Sequence, residues 1–238
     1  IQQIPKRDKL ATELVRSLIV ADEGKTLYSL DFSSQEPRLQ VHYAYLADCR
    51  GASEVRSAYL KNPNLDLHQQ VANMAGIDRR QAKTINLGIS YGMGPPKLAE
   101  ALKIDRGEAR DLLSRYSRMA PYLEGLNRAV KKAGTSKGYI TTLLGRRLKM
   151  DYDAPYKALN KLIQGGAADQ TTVAMVQAYR EGLEVMFAVH DELVLQASNP
   201  KDAERLKVIM ETSTALTVPS ITDIMGGPTW GTLTSHSS

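Results

Sequence analysis

At 238 residues, with 42% hydrophobic and 24% charged side chains, the chain is long enough for one sizeable domain or two interleaved ones around a packed core. No run reaches the roughly eighteen uncharged apolar residues that a membrane span needs, Ile1 to Lys9 has no signal-peptide character, and the single Cys49 rules out an intrachain disulfide. The expectation is therefore a cytoplasmic protein with no membrane partner. The net charge of +5 is unevenly spread: from Arg79 to Lys149 sixteen Lys and Arg face five Asp and Glu, a surplus of eleven, so the remainder carries −6. A segment this basic fits a triphosphate or a nucleic-acid backbone better than general solubility.

In chain order, Ile1 to Ser33 reads as a lead-in followed by two strands, Leu18-Ile19-Val20 and Thr26 to Phe32, separated by the turn cluster Asp22-Glu23-Gly24-Lys25. The second strand ends in Asp31, which strands disfavour and which needs a partner such as a metal or an Arg where it is buried. Ser33-Ser34-Gln35-Glu36 matches a capping box, opening a helix with Pro37 in its first turn. Gly51 to Asn64 reads as loop with a short helix, and Asp66 to Ala75 as a helix that carries His68 near its start and ends at Gly76.

The stretch Arg79 to Gly94 is the organising element. Asp78 with Gln81 caps it and Gly92, Gly94, Pro95 and Pro96 stop it. Residues four apart are offset by only about 40° around a helix, so Arg79, Lys83, Leu87 and Tyr91 share one face. Two cations, an apolar side chain and a phenol in that order suit a nucleotide laid along the helix, meeting its triphosphate, sugar and base.

Beyond it, Asp105 with Glu108 caps a further helix, and Pro121 opens another that runs to about Lys132. Gly138 to Arg147 reads as a strand or hairpin ending in two cations. Pro155 opens a long helix to about Tyr179, interrupted at Gly165-Gly166 and carrying the amides of Asn160 and Gln164 one turn apart. Val185 to Leu195 reads as a hairpin with His190-Asp191-Glu192 at its tip. That tip lacks the Gly or Asn a tight turn prefers, which points to residues kept for chemistry. A last helix is expected from Lys201 to about Leu216.

Asp31 and Asp191, both at strand ends, together with a cationic helix and a basic surface, suggest phosphoryl transfer on two divalent ions about 3.5 to 4 Å apart. At these residues the sequence resembles family A DNA polymerases, the group of bacterial DNA polymerase I and its phage relatives. Asp31-Phe32-Ser33-Ser34-Gln35-Glu36-Pro37-Arg38 resembles the family's motif A, Arg79 to Gly92 motif B on the fingers, and His190-Asp191-Glu192 motif C. Gln3-Ile4-Pro5, Gly145-Arg146-Arg147 and Gln164-Gly165 add to the match, which covers nearly the whole chain.

The resemblance implies an α+β fold, an antiparallel β-sheet palm from 1–41 and 160–238 with a mostly helical fingers subdomain, 42–159, inserted. It implies a DNA-directed DNA polymerase core that adds deoxynucleotides to a primer 3′-hydroxyl, with primer-template DNA and dNTP as partners. Asp31, Asp191 and the Phe32 carbonyl would hold two Mg2+ ions, with Mn2+ as an alternative. Lys83 would join the two aspartates in catalysis as proton donor to departing pyrophosphate. His68, Arg79, Lys83, Leu87, Tyr91 and Glu36 would form the dNTP site, with Glu36 blocking a 2′-hydroxyl; Arg147, Asn160, Gln164, His190 and Glu192 would lie along the DNA.

Two positions depart from the family pattern. Leu87 stands where Phe or Tyr is usual, which implies strong discrimination against dideoxynucleotides, and Pro37 replaces an apolar residue. The chain opens about thirty residues before Asp31, so the thumb and the 3′ to 5′ exonuclease are expected on a separate chain or on the rest of a longer protein. The setting expected is a bacterial or phage-infected cell, with an organelle as the alternative. The competing readings are a single-subunit RNA polymerase, disfavoured by Glu36, and a catalytically silent nucleic-acid-binding subunit, disfavoured by the two aspartates.

Overall fold

The computed structural model describes residues 9–151 and 153–235, which form helices and a five-stranded antiparallel sheet, as the α+β expectation requires. The Gln3-Ile4-Pro5 match lies outside the described residues. Helix α1 (Lys9–Ser17) is followed not by a full strand but by a single bridge, Val20 to Thr229. The apolar run at 18–20 is too short to build a ladder. The 22–25 cluster does turn, with Gly24 at φ 76 and the Lys25 N–H donating to the Asp22 carbonyl, and it feeds β1 (Thr26–Phe32).

Then come α2 (Gln35–Leu46), α3 (Ala52–Lys61), α4 (Leu67–Ala75), α5 (Arg79–Ser90), α6 (Pro95–Leu102), α7 (Arg106–Met119) and α8 (Pro121–Lys137). The hairpin β2 (Tyr139–Thr141) and β3 (Arg147–Lys149) follows, then a 3-10 turn at Pro155–Lys157 and α9 (Ala158–Arg180). The chain closes through β4 (Val185–Val189), β5 (Glu192–Ala197), α10 (Lys201–Thr212), β6 (Thr222–Gly227) and β7 (Thr234–Ser235). Among the described residues no helix is long and apolar enough to cross a membrane.

The capping boxes at Asp78/Gln81 and Asp105/Glu108 both form. The one read at Ser33 does not: the Ser33 hydroxyl donates to Asp223 Oδ2 at 2.5 Å, and α2 starts two residues later. Pro37 then falls at the third helical position, where an amide hydrogen would have no partner within the helix, so proline removes no helical hydrogen bond there. Helix α9 is not interrupted at its glycines. A Cβ on Gly165 would meet Leu148 Cδ1 at 2.6 Å, and one on Gly166 would meet the Tyr43 hydroxyl at 2.9 Å, so these glycines serve close packing instead.

The chain divides into two compact units, residues 1–35 with 167–238, and residues 36–166. These divisions and the boundaries drawn from the sequence, at 41/42 and 159/160, fall within the same two helices, α2 and α9. The first unit holds the sheet, in the order β4-β5-β1-β6-β7. Side chains alternate across it. Tyr28, Leu30 and Phe32 join Leu193, Leu195 and Ala197 in a core with Ala174 and Ala178 of α9 and Leu206 and Met210 of α10. Leu27, Val189, Val194 and Trp230 form a second, smaller cluster. The second unit is mostly helical, with Ile85, Leu98, Ala99, Ala109 and Leu112 packed at the junction of α5, α6 and α7.

Candidate active site

In the first unit, β1 is central and is paired on both sides, placing Asp31 opposite Glu192 of β5 and Asp223 of β6. Its chain neighbour Phe32 donates its N–H to the Asp191 carbonyl at 3.3 Å, so the end of β1 is tied directly to the β4–β5 tip. The two aspartates read from opposite ends of the sequence therefore meet at one end of one sheet. The tip itself is two residues, His190 and Asp191, rather than three, because Glu192 already belongs to the ladder. His190 (φ 58), just before Asp191, and Ser34 (φ 55), three residues past Asp31, both adopt the left-handed region without being glycine, so backbone strain lies close to each aspartate.

Asp31 and His190 are exposed, Asp191 is half-buried, and the Phe32 ring is buried in the core, leaving only the Phe32 backbone carbonyl as a ligand candidate. Glu192 is not placed along a surface. It is 5% exposed, and its Oε1 accepts from the Ser29 hydroxyl at 2.6 Å and the Trp230 indole N–H at 2.7 Å. A buried carboxylate is tolerated because those donors replace water.

Among the described residues no group of three or more His, Cys, Asp or Glu could hold a metal by itself. Two carboxylates and a carbonyl are nevertheless hard oxygen donors. They fit a cation such as Mg2+, which keeps waters and takes substrate phosphate oxygens instead of filling a cage of protein ligands.

The second unit carries the cations. Arg79 and Lys83 are exposed on α5, Leu87 is half-buried one turn on, and the Tyr91 N–H bonds back to the Leu87 carbonyl just past the helix end. The Tyr91 hydroxyl donates to Glu36 Oε2 at 2.5 Å. Burial, and next the Glu36 charge, push the phenol well above its ordinary pKa, so it stays a donor and holds Glu36 in place.

His68, expected at the triphosphate, is only 2% exposed. Its Nδ1 accepts from Asn86 Nδ2 at 2.9 Å, and the Asn86 carbonyl oxygen accepts from the Tyr116 hydroxyl. That arrangement puts the imidazole proton on Nε2. Burial lowers the His68 pKa, helped by the nearby Lys83 and Arg79 charges and opposed by Asp66.

The remaining candidates of this unit fall on the β2–β3 hairpin and α9. Arg147 is exposed and stacks its guanidinium over Tyr139 at 4.7 Å. Gln164 is exposed, while Asn160 is half-buried with its side-chain oxygen shut away from water and without a partner. The Arg146 Nη2 donates to the Gly165 carbonyl at 2.8 Å, fastening the hairpin to the helix.

Asp66, Asn86, Tyr116, Ser29 and Trp230, which hold the candidate side chains in place, went unremarked in the sequence as site residues. Only Asp66 carried a signal, as a helix-opening acid two residues before His68.

A family model described as DNA polymerase family A matches residues 1–232. The chain belongs to this family. Among family A relatives, a DNA-directed DNA polymerase of Pseudomonas phage M6 is 37% identical over 97% of this chain, and a thermostable DNA polymerase I of Thermus thermophilus is 34% identical over 97% of it. The chain spans 42% of the phage polymerase and 30% of the Thermus one. Among solved structures, the POL domain of Pol1 from M. smegmatis, in complex with DNA primer-template and dNTP, superposes with a TM-score of 0.83 at 28% identity, covering 97% of this chain and 44% of that one.

Proposed function

We propose that this family A chain is the core of a template-directed DNA polymerase, adding deoxynucleotides to a primer 3′-hydroxyl. The observation that carries the reading is the bond from the Phe32 N–H to the Asp191 carbonyl, which sets the Asp31 and Asp191 strand ends side by side. Asp31, Asp191 and the Phe32 carbonyl would hold two divalent ions, Mg2+ or Mn2+, whose chemistry is to ease deprotonation of the attacking hydroxyl and neutralise charge on the leaving pyrophosphate.

On the second unit, the Arg79 fork and the Lys83 ammonium bind the triphosphate, and Lys83 gives its proton to the departing pyrophosphate. His68, kept neutral by burial, offers an Nε2 N–H rather than a charge. Glu36, pinned by Tyr91, closes the space a 2′-hydroxyl would need, while Leu87 offers an apolar surface to the sugar. Arg147, Gln164 and His190 are the exposed side chains proposed along primer-template DNA. Thumb and exonuclease functions belong to other parts of a longer protein or to a separate chain.

Nucleotide addition to a primed template, measured with and without Mg2+ and in Asp191→Asn, tests the proposal. Metal-dependent addition that disappears in the variant supports it. Addition that survives Asp191→Asn, or no addition even when a thumb-bearing partner is supplied, overturns it in favour of a silent nucleic-acid-binding subunit.

A further inference from the structure

We infer that Asp66 is a positioning residue for the phosphate-binding Arg79, a role that rests on the polymerase reading above. Three observations converge on its carboxylate. Oδ1 accepts the backbone N–H of His68 at 2.9 Å and of Gln69 at 3.0 Å, capping α4 at the turn that carries His68. Oδ2 accepts from Arg79 Nε at 2.5 Å. One side chain thus fixes both the start of the His68 helix and the direction of the Arg79 guanidinium.

The geometry of the pair decides what it is for. Arg79 is the first residue of α5, where the helix dipole repels a cation and gives it no reason to stay near the axis. The Asp66 charge opposes that repulsion. It engages Nε, and the other four N–H bonds of the guanidinium sit on the two Nη nitrogens, the pair that grips a phosphate in bidentate fashion.

Burial alone would raise the Asp66 carboxyl, but the bond from Arg79 and those from Gln69 and His68 outweigh it and hold the group below its usual range. It is therefore ionised wherever a polymerase works. With Arg79 at 53% and Asp66 at 32% side-chain exposure, the pair adds little to folding. Its product is orientation, and loss of orientation reads out as nucleotide affinity.

Asp66→Asn isolates this role, because asparagine caps a helix as well as aspartate does while giving up the charge that faces Arg79. The dissociation constant of dATP with Mg2+, measured by titration calorimetry on the full chain, is expected to rise about tenfold, the scale of one charge-assisted bond. The melting temperature should stay unchanged, and inorganic triphosphate should weaken by the same factor as dATP. In an Arg79→Ala background, adding Asp66→Asn should have no effect.

If Asp66→Asn leaves dATP affinity unchanged or tightens it while Arg79→Ala weakens it, Asp66 is only a cap or a competitor for the guanidinium, and this inference falls alone. If Arg79→Ala also leaves affinity unchanged, the triphosphate assignment of α5 falls with it.

Discussion

The two compact units hold their charged side chains by different means. In the first, Asp31 and Asp191 sit at the end of a sheet whose central strand is bonded on both sides, and Glu192 beside them is embedded against Ser29 and Trp230. In the second, Arg79, Glu36 and Tyr91 stand at or near helix ends and are placed by side-chain pairs, Asp66 with Arg79 and Tyr91 with Glu36. Perturbing the acidic end should therefore disturb the fold as well as the chemistry. Perturbing the cationic face should change affinity and selectivity with little cost in stability.

The largest expected effect lies in the first unit. Asp191→Asn should lower the rate of nucleotide addition by about a thousandfold, the scale on which preorganised electrostatic groups act, with little change in the affinity for dATP. Single-turnover kinetics beside calorimetry separates the two quantities. A loss confined to affinity would break the division between the units.

Next in size is a stability effect. Trp230→Phe keeps most of the apolar contact in the small cluster but removes the indole N–H from buried Glu192, leaving a carboxylate short of a donor. The expected cost is about 1–3 kcal/mol, read from denaturant unfolding. An equal loss in Asp66→Asn, at a half-buried position outside the core, would contradict the contrast.

On the cationic face, Leu87→Tyr should raise the use of dideoxynucleotides relative to deoxynucleotides by about fivefold, since one new hydroxyl donor contributes on the order of 1 kcal/mol. A competition assay on a primed template reads the ratio, and an unchanged ratio would remove Leu87 from the sugar site.

The smallest effect concerns His68. Its folded-state pKa is held below the ordinary 6.5 mainly by burial, so the unfolded chain binds the proton more readily. Stability from this group is fully present above about 6.5 and is lost as the pH falls from there toward the lower folded value. His68→Asn should flatten that part of the stability profile. His42, also buried and lowered, keeps its own share in both proteins.

Much of this was readable from the residues. Capping pairs at Asp78/Gln81 and Asp105/Glu108, proline at 121 and glycine at 76 are local signals whose energetics lie within one turn, and the helix ends they mark fall where expected, although the helix from Pro121 runs on to Lys137 rather than about Lys132. The run at 18–20 and the glycines of α9 misled because their outcome depends on partners far away in the chain. A strand needs a neighbour, and whether a glycine breaks a helix or lets Leu148 and Tyr43 approach depends on what packs there.

The sequence by itself determined which chemistry is on offer: two strand-end aspartates, a helix face with cations four residues apart, and a basic central segment. Those follow from residue type and helical or strand period alone. Only the tertiary structure decided that Asp31 and Asp191 share one sheet end, that Glu192 faces inward, that His68 is buried on Asn86, and that Asp66 holds Arg79. Each of those facts joins residues through hydrogen bonds and burial between different elements, and pairings between elements leave no period in the sequence to read.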